Sequence, residues 1–184
     1  KDYPQRLRNL NDAPVMLYYS GTADLNGPRT VGIIGTRTPT PYGLSVCEEI
    51  VEGLAPYKPL IVSGLAYGID VAAHKKSLDA GLETLAVLGH GLARIYPPQH
   101  KKVAVDMMRQ GGIMTEFASH VGPERENFPM RNRIVAGICD AIIVVETANR
   151  GGSIITVQQA NGYGRDVFAV PGRLKDKFSQ GCNY

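Results

Sequence analysis

Short, unbroken apolar runs alternate along this chain with segments of helical spacing. "TVGIIG" (30–35), "PLIVSG" (59–64), "ETLAVLG" (83–89), "GGIMTE" (111–116), "DAIIVVE" (140–146) and "DVFAVPG" (166–172) are rich in β-branched residues and lack polar alternation. Such runs predict strands covered on both faces, as in a parallel sheet. Over 41–54, Leu44, Cys47, Ile50, Val51 and Leu54 recur on one helical face. Further helices are predicted over 69–80, 100–110, 130–138 and 153–163. Strand–helix alternation of this kind predicts an α/β fold, a doubly wound three-layer sandwich. Residues 1–29 differ: they contain prolines and hold one candidate extra strand, "LYYSG" (17–21).

In such sheets, ligands bind beyond the carboxyl ends of the strands. Four of those ends are rich in Gly, Ser and Thr: "GTRTPTPYG", "SGLAYGID", "GHGLARIYPP" and "TANRGGSIIT". The first turn has glycines at 32, 35 and 43, so the G-x-G-x-x-G dinucleotide fingerprint fails on spacing. Thr40 is placed to cap the following helix, with Pro41 at its first position. A small-residue loop opening a helix offers free amides and the positive dipole end to an anion. Gly35, Thr36 and Arg37 would form that site, Arg37 closing it as a fork. A plain tight turn with a solvated arginine fits the same residues. In the second turn Ser63 and Gly64 end a strand. Asp70 begins a helix with His74 on the same face, either an acid–base pair or a structural hydrogen bond. In the third, Gly152 and Ser153 open a helix, with Thr156 in its first turn.

One further stretch breaks a local rule. In "ENFPMRNRIVAGICD", Arg131, Asn132 and Arg133 fall in the first turns of the helix predicted from residue 130, where cations oppose the dipole. An anionic ligand removes the conflict, and broken rules concentrate at functional sites. Phe128 precedes Pro129 in a polar setting. It is either an exposed stacking ring, paired with cations as in single-strand binders, or a core staple.

Composition narrows the classes. With 184 residues the chain suits one α/β domain, and 43 % hydrophobic content excludes disorder. Three widely spaced cysteines, Cys47, Cys139 and Cys182, make neither a zinc site nor a disulfide framework. They suit a reducing cytoplasm, and no metal or cofactor is expected. No apolar run approaches the roughly 18 residues of a membrane span. The first residues lack the apolar segment of a signal peptide, and a start without Met reads as a fragment. A formal charge of +3 is too small to decide on a polyanionic partner; a local basic patch would be needed.

Taken together, "VGIIGTRTPTPYG", "SGLAYGIDVAAH", "AVLGHGLARIYPP", "ENFPMRNRIVAGICDAIIVVETANRGGSIIT" and "GRDVFAVPG" followed by "SQGCN" resemble the DNA-processing protein A (DprA/Smf) family from about residue 30 onward. The resemblance implies an extended Rossmann-like domain with a doubly wound, mostly parallel sheet. It implies binding of single-stranded DNA, protection of incoming DNA in natural transformation, loading of the RecA recombinase, a homodimer and no catalysis. The family's basic pocket maps onto Arg37, Arg125, Phe128, Arg131, Asn132 and Arg133, and its small-residue turns onto Gly35, Thr36, Ser63, Gly64, Gly152 and Ser153. Residues 1–29 are then an N-terminal remnant packing on the sheet, and 30–184 the DNA-binding domain, ending before the winged helix that family members often carry. Arg37→Ala and Arg131→Ala are expected alike to weaken binding at unchanged melting temperature. The alternatives are a free-nucleotide sensor and a phosphoribohydrolase-like enzyme. The latter's catalytic Glu falls near Gln158 and Gln159, although Glu116 and Glu146 lie at strand ends.

Overall fold

The computed structural model describes residues 3–176 and 178–184. Seven strands form one sheet: β1 (Tyr18–Gly21), β2 (Thr30–Ile34), β3 (Leu60–Ser63), β4 (Thr84–Val87), β5 (Gly111–Thr115), β6 (Ala141–Val144) and β7 (Asp166–Ala169). Their spatial order is β1-β5-β4-β3-β2-β6-β7. All neighbours are parallel except β1, which runs antiparallel to β5 with Tyr18 opposite Thr115. "LYYSG" therefore supplies a strand at the edge of the same sheet.

The helices are α1 (Gln5–Arg8), α2 (Pro41–Leu54), α3 (Ile69–Asp79), α4 (Lys101–Met107), α5 (Asn127–Ile138), α6 (Gly152–Gly162) and α7 (Gln180–Asn183). Side chains alternate across the pleat, so each of β2 to β6 feeds two cores. Ile33 and Ile61 pack with Cys47 and Val51 of α2 and Ile69 and Ala73 of α3. Ile34, Val62, Leu85 and Val144 pack with Ile134 and Ile138 of α5, Ala160 of α6 and Leu7 of α1. Both faces of β2 to β6 are covered, which is why those strands read as continuous apolar runs; β7, at the sheet edge, corrects the expectation for 166–172, since Phe168 is 58 % exposed there.

Two features place the site. The chain crosses β2→β3→β4 in one direction along the sheet, then returns to lay β6 on the other side of β2. That reversal opens a crevice above the carboxyl ends of β2 and β6. In addition, α5 starts at Asn127, three residues earlier than Met130. Pro129 sits within the first turn, where a missing N–H costs no intrahelical bond. Arg131 and Arg133 consequently lie in the second turn, and the expected conflict with the helix dipole does not arise there.

Candidate functional site

Two of the three glycine-rich turns are already filled by the protein's own carboxylates. Glu146, 3 % exposed at the end of β6, accepts from the Thr40 N–H at 2.9 Å and from the Thr40 hydroxyl at 2.6 Å. Thr40 Oγ1 in turn accepts the Gly43 N–H at 3.2 Å, capping α2. The anion at this helix N-terminus is therefore Glu146, which corrects the expectation of a ligand site there.

The second turn closes on Asp70 in the same way. Its Oδ2 accepts the Gly64 and Ala66 N–H groups at 3.2 and 3.4 Å. Burial raises its pKa, and the positive charge of Arg131 opposes that rise. Asp70 makes no pair with His74. The His74 ring is fully buried under the sheet, with Nδ1 2.7 Å from Thr84 Oγ1, and burial lowers its pKa to about 3. The Asp–His pair is thus excluded as acid–base chemistry. Gly68, at φ +80°, allows this turn to pass against the backbone of Thr36 and Arg37, where a Cβ would come within 2.2 Å of the Thr36 carbonyl. The second turn thereby buttresses the first.

Arg131 is a floor element. It is 4 % exposed and donates to the Gly64 carbonyl at 2.7 Å, to the Val87 carbonyl, and through Nε to Asn132 Oδ1 at 3.2 Å. Gly64 leaves room for it, since a Cβ there would lie 2.6 Å from both terminal guanidinium nitrogens. Burial pulls the Arg131 pKa down to about 10, with Asp70 opposing the fall. Arg131 is therefore held by backbone acceptors, where an arginine free to move onto a phosphate was expected: its donors join the ends of β3 and β4.

Arg133 and Ser63 also lie elsewhere. Arg133 pairs with Glu116 and donates to the Asp12 carbonyl at 2.7 Å, tying α5 to the end of β5 and to the N-terminal segment. Ser63 is fully buried and donates to the Ile33 carbonyl at 2.6 Å. Neither reaches the crevice.

The remaining expected residues line one open cleft of about 680 Å³ over the switch point. Gly35, Thr36 and Arg37 come from the β2 end, Gly64 and Arg131 form the floor, and Arg125, Phe128 and Asn132 come from α5 and the loop before it. Gly152 and Ser153 come from α6. Arg37 and Arg125 are exposed, while Phe128 is half-buried with the Arg37 Cζ 5.8 Å from its ring centroid. The α6 N-terminus has no side-chain cap, unlike α2. Asn132 Nδ2 donates to the Gly152 carbonyl at 3.3 Å, joining α5 to that turn. Among the described residues Asp70 is the single carboxylate on the cleft wall. No group of three or more metal-ligating side chains is found among them.

Arg150 and Tyr96 are among the cleft residues that escaped the sequence reading. Arg150 is exposed and immediately precedes the Gly151–Gly152 turn. Its signal was a cation abutting an uncapped glycine-rich helix start. Tyr96 carried no comparable signal, because its approach to Phe128 is set by loop conformation.

A doubly wound sheet with a basic, aromatic-lined crevice at its switch point defines a Rossmann-like α/β protein with a strand-end site. The chain belongs to the DNA recombination-mediator protein A family, which it matches over residues 1–184. It is 41 % identical to DNA processing protein DprA of Streptococcus pneumoniae over 182 residues, 99 % of this chain and 64 % of that protein. It is 38 % identical to the Bacillus subtilis DprA, covering 98 % of this chain and 61 % of that one. The chain thus spans less than two thirds of the length of these relatives. The solved pneumococcal DprA superposes with a TM-score of 0.94 at 40 % identity, covering 100 % of this chain and 64 % of that one. DNA processing protein A of Helicobacter pylori, a single-stranded DNA binder, superposes with a TM-score of 0.90 at 31 % identity, over 98 % of this chain and 83 % of that one. A molybdenum cofactor binding protein from Rippkaea orientalis, at a TM-score of 0.58 and 16 % identity, shares the fold alone.

Proposed function

We propose that this chain binds single-stranded DNA, as its Helicobacter relative does, and that it does so in the switch-point cleft. One observation carries the reading: exposed Arg37, Arg125 and Arg150 line one cleft with the half-buried ring of Phe128 and an uncapped helix N-terminus. Cations and amides take phosphates regardless of sequence, and an aromatic ring takes the face of any base. A base still stacked in a duplex cannot lie on that ring, so unpaired strands are preferred.

The wider role follows the family resemblance: protection of incoming DNA and loading of the RecA recombinase in natural transformation, in the cytoplasm. A homodimer with two such clefts on one strand gains affinity through effective concentration. The protein acts as a binder rather than an enzyme. A glycosidic-bond hydrolase would need a free carboxylate here, whereas Glu116 is paired with Arg133, Glu146 is held by Thr40, and Asp70 is held by two amides.

Fluorescence anisotropy with labelled oligo-dT and a duplex of equal length, at two salt concentrations, tests the reading. Oligo-dT should bind more tightly and lose affinity as salt rises. Equal binding of duplex, or no salt dependence, overturns it. Release of free base from nucleoside monophosphates would replace it with the enzyme.

A further inference from the structure

The segment "GHGLARIYPP" after β4 supplies Tyr96 to the cleft, and its His90 is only 1 % exposed. The ring is engaged at both nitrogens. Nδ1 lies 2.9 Å from the Gly91 carbonyl, and Nε2 accepts the Tyr96 N–H at 3.2 Å. A carbonyl can only accept, so Nδ1 bears the proton and the Nε2 lone pair faces Tyr96. A ring enclosed in this way cannot reach a substrate. Its effect is to close the 90–96 loop across its base.

That loop is tied to the turn leading to Arg125, because Gly91 N–H donates to the Val121 carbonyl at 3.0 Å and Ala93 N–H to the Ser119 carbonyl at 3.2 Å. At its far end the Tyr96 ring stands 6.0 Å from the Phe128 centroid, inclined by 43°. Gly89 leaves room for the same phenyl group, since a Cβ there would come within 2.8 Å of Phe128 Cδ1.

We propose that His90 is a positioning residue: by accepting the Tyr96 N–H it sets Tyr96 against Phe128 and so presents the Phe128 ring as a pre-ordered platform for one unpaired base. The inference rests on the single-strand reading above. Without the acceptor, Tyr96, already 43 % exposed, loses its anchor, and Phe128 must be ordered during binding at an entropic cost. Arg37 and Arg150 are carried by the end of β2 and the turn before α6, outside this loop. The device therefore acts on base stacking and leaves backbone affinity alone.

The test compares affinity for oligo-dT with that for a base-free deoxyribose-phosphate oligomer of equal length. It uses wild type, His90→Leu, His90→Gln and Tyr96→Ala. Wild type should prefer oligo-dT. His90→Leu and Tyr96→Ala should each reduce that preference about fivefold, the scale of ordering one side chain on binding, while the base-free oligomer binds within about twofold of wild type. His90→Gln, whose amide oxygen can accept in place of Nε2, should keep the preference. Tyr96→Ala disturbs no buried group and serves if His90→Leu does not fold. An unchanged preference in Tyr96→Ala overturns the proposal. So does an equal loss for both oligomers in His90→Leu, or a failure of His90→Gln to rescue. Wild type that binds neither oligomer removes the single-strand reading itself, a result distinct from these.

Discussion

Arg131→Ala separates a structural arginine from a phosphate ligand. The substitution removes a guanidinium that donates to Gly64, Val87 and Asn132 and leaves Asp70 buried without its counter-charge. Taking one partner from a buried charged arrangement costs about 3–5 kcal/mol. For a chain of this size each kcal/mol moves the melting temperature by roughly 2–4 °C, so melting should fall by about 6–20 °C. The loss also depends on pH. Burial already raises the Asp70 pKa above 3.8, and Arg131 restrains the rise. Without Arg131 the folded-state pKa climbs further, and the folded state then binds more protons than the unfolded one. Stability of the variant therefore falls as pH rises from the unfolded value through the raised folded one, and the defect is largest at neutral and alkaline pH. Asp70→Asn in that background should recover part of it. Melts followed by far-UV circular dichroism across pH, for wild type, the single variant and the double, measure each quantity. If Arg131→Ala melts within about 2 °C of wild type at neutral pH while oligo-dT binding collapses, the guanidinium is a ligand group and the structural account of it is wrong.

Other substitutions should divide cleanly. Arg37→Ala and Arg150→Ala, both at exposed side chains, should weaken oligo-dT binding, lower the slope of log K against log salt by about 0.7 each, and leave melting within about 2 °C; anisotropy titrations at several salts and thermal melts check this. Glu146→Gln should leave oligo-dT affinity within about twofold but cost about 1–3 kcal/mol in urea unfolding, because its partners Thr40 N–H and hydroxyl lose a charged acceptor. His74 carries a folded pKa of about 3 against an ordinary 6.5, so the folded state binds fewer protons between those values. Stability should drop as pH falls through that window, by up to about 1.4 kcal/mol per pH unit, and urea midpoints should show a shallower acid slope in His74→Gln.

The layers were legible because hydrophobic period reports which faces are buried. β2, β3, β4 and β6 are apolar on both faces, and α2 shows its stripe at Cys47 and Val51. The gathering of glycine-rich strand ends was legible for the same reason, since a doubly wound sheet brings them to one rim. What fills each turn was not. Glu146 reaches Thr40 across 106 residues, and no local pattern announces a carboxylate that arrives from another strand. The split between Arg131 and Arg133 was within reach, because residues two apart on a helix do not share a face. One points into the rim of the sheet and the other to Glu116 and Asp12. The cation was read against a helix start that lies three residues earlier, and its partners are acceptors that residue identity does not display: the Gly64 and Val87 carbonyls at the ends of β3 and β4. Backbone groups left over at strand ends look the same in every sequence. A charged side chain recruited to satisfy them therefore resembles one waiting for a ligand, until the strands are in place.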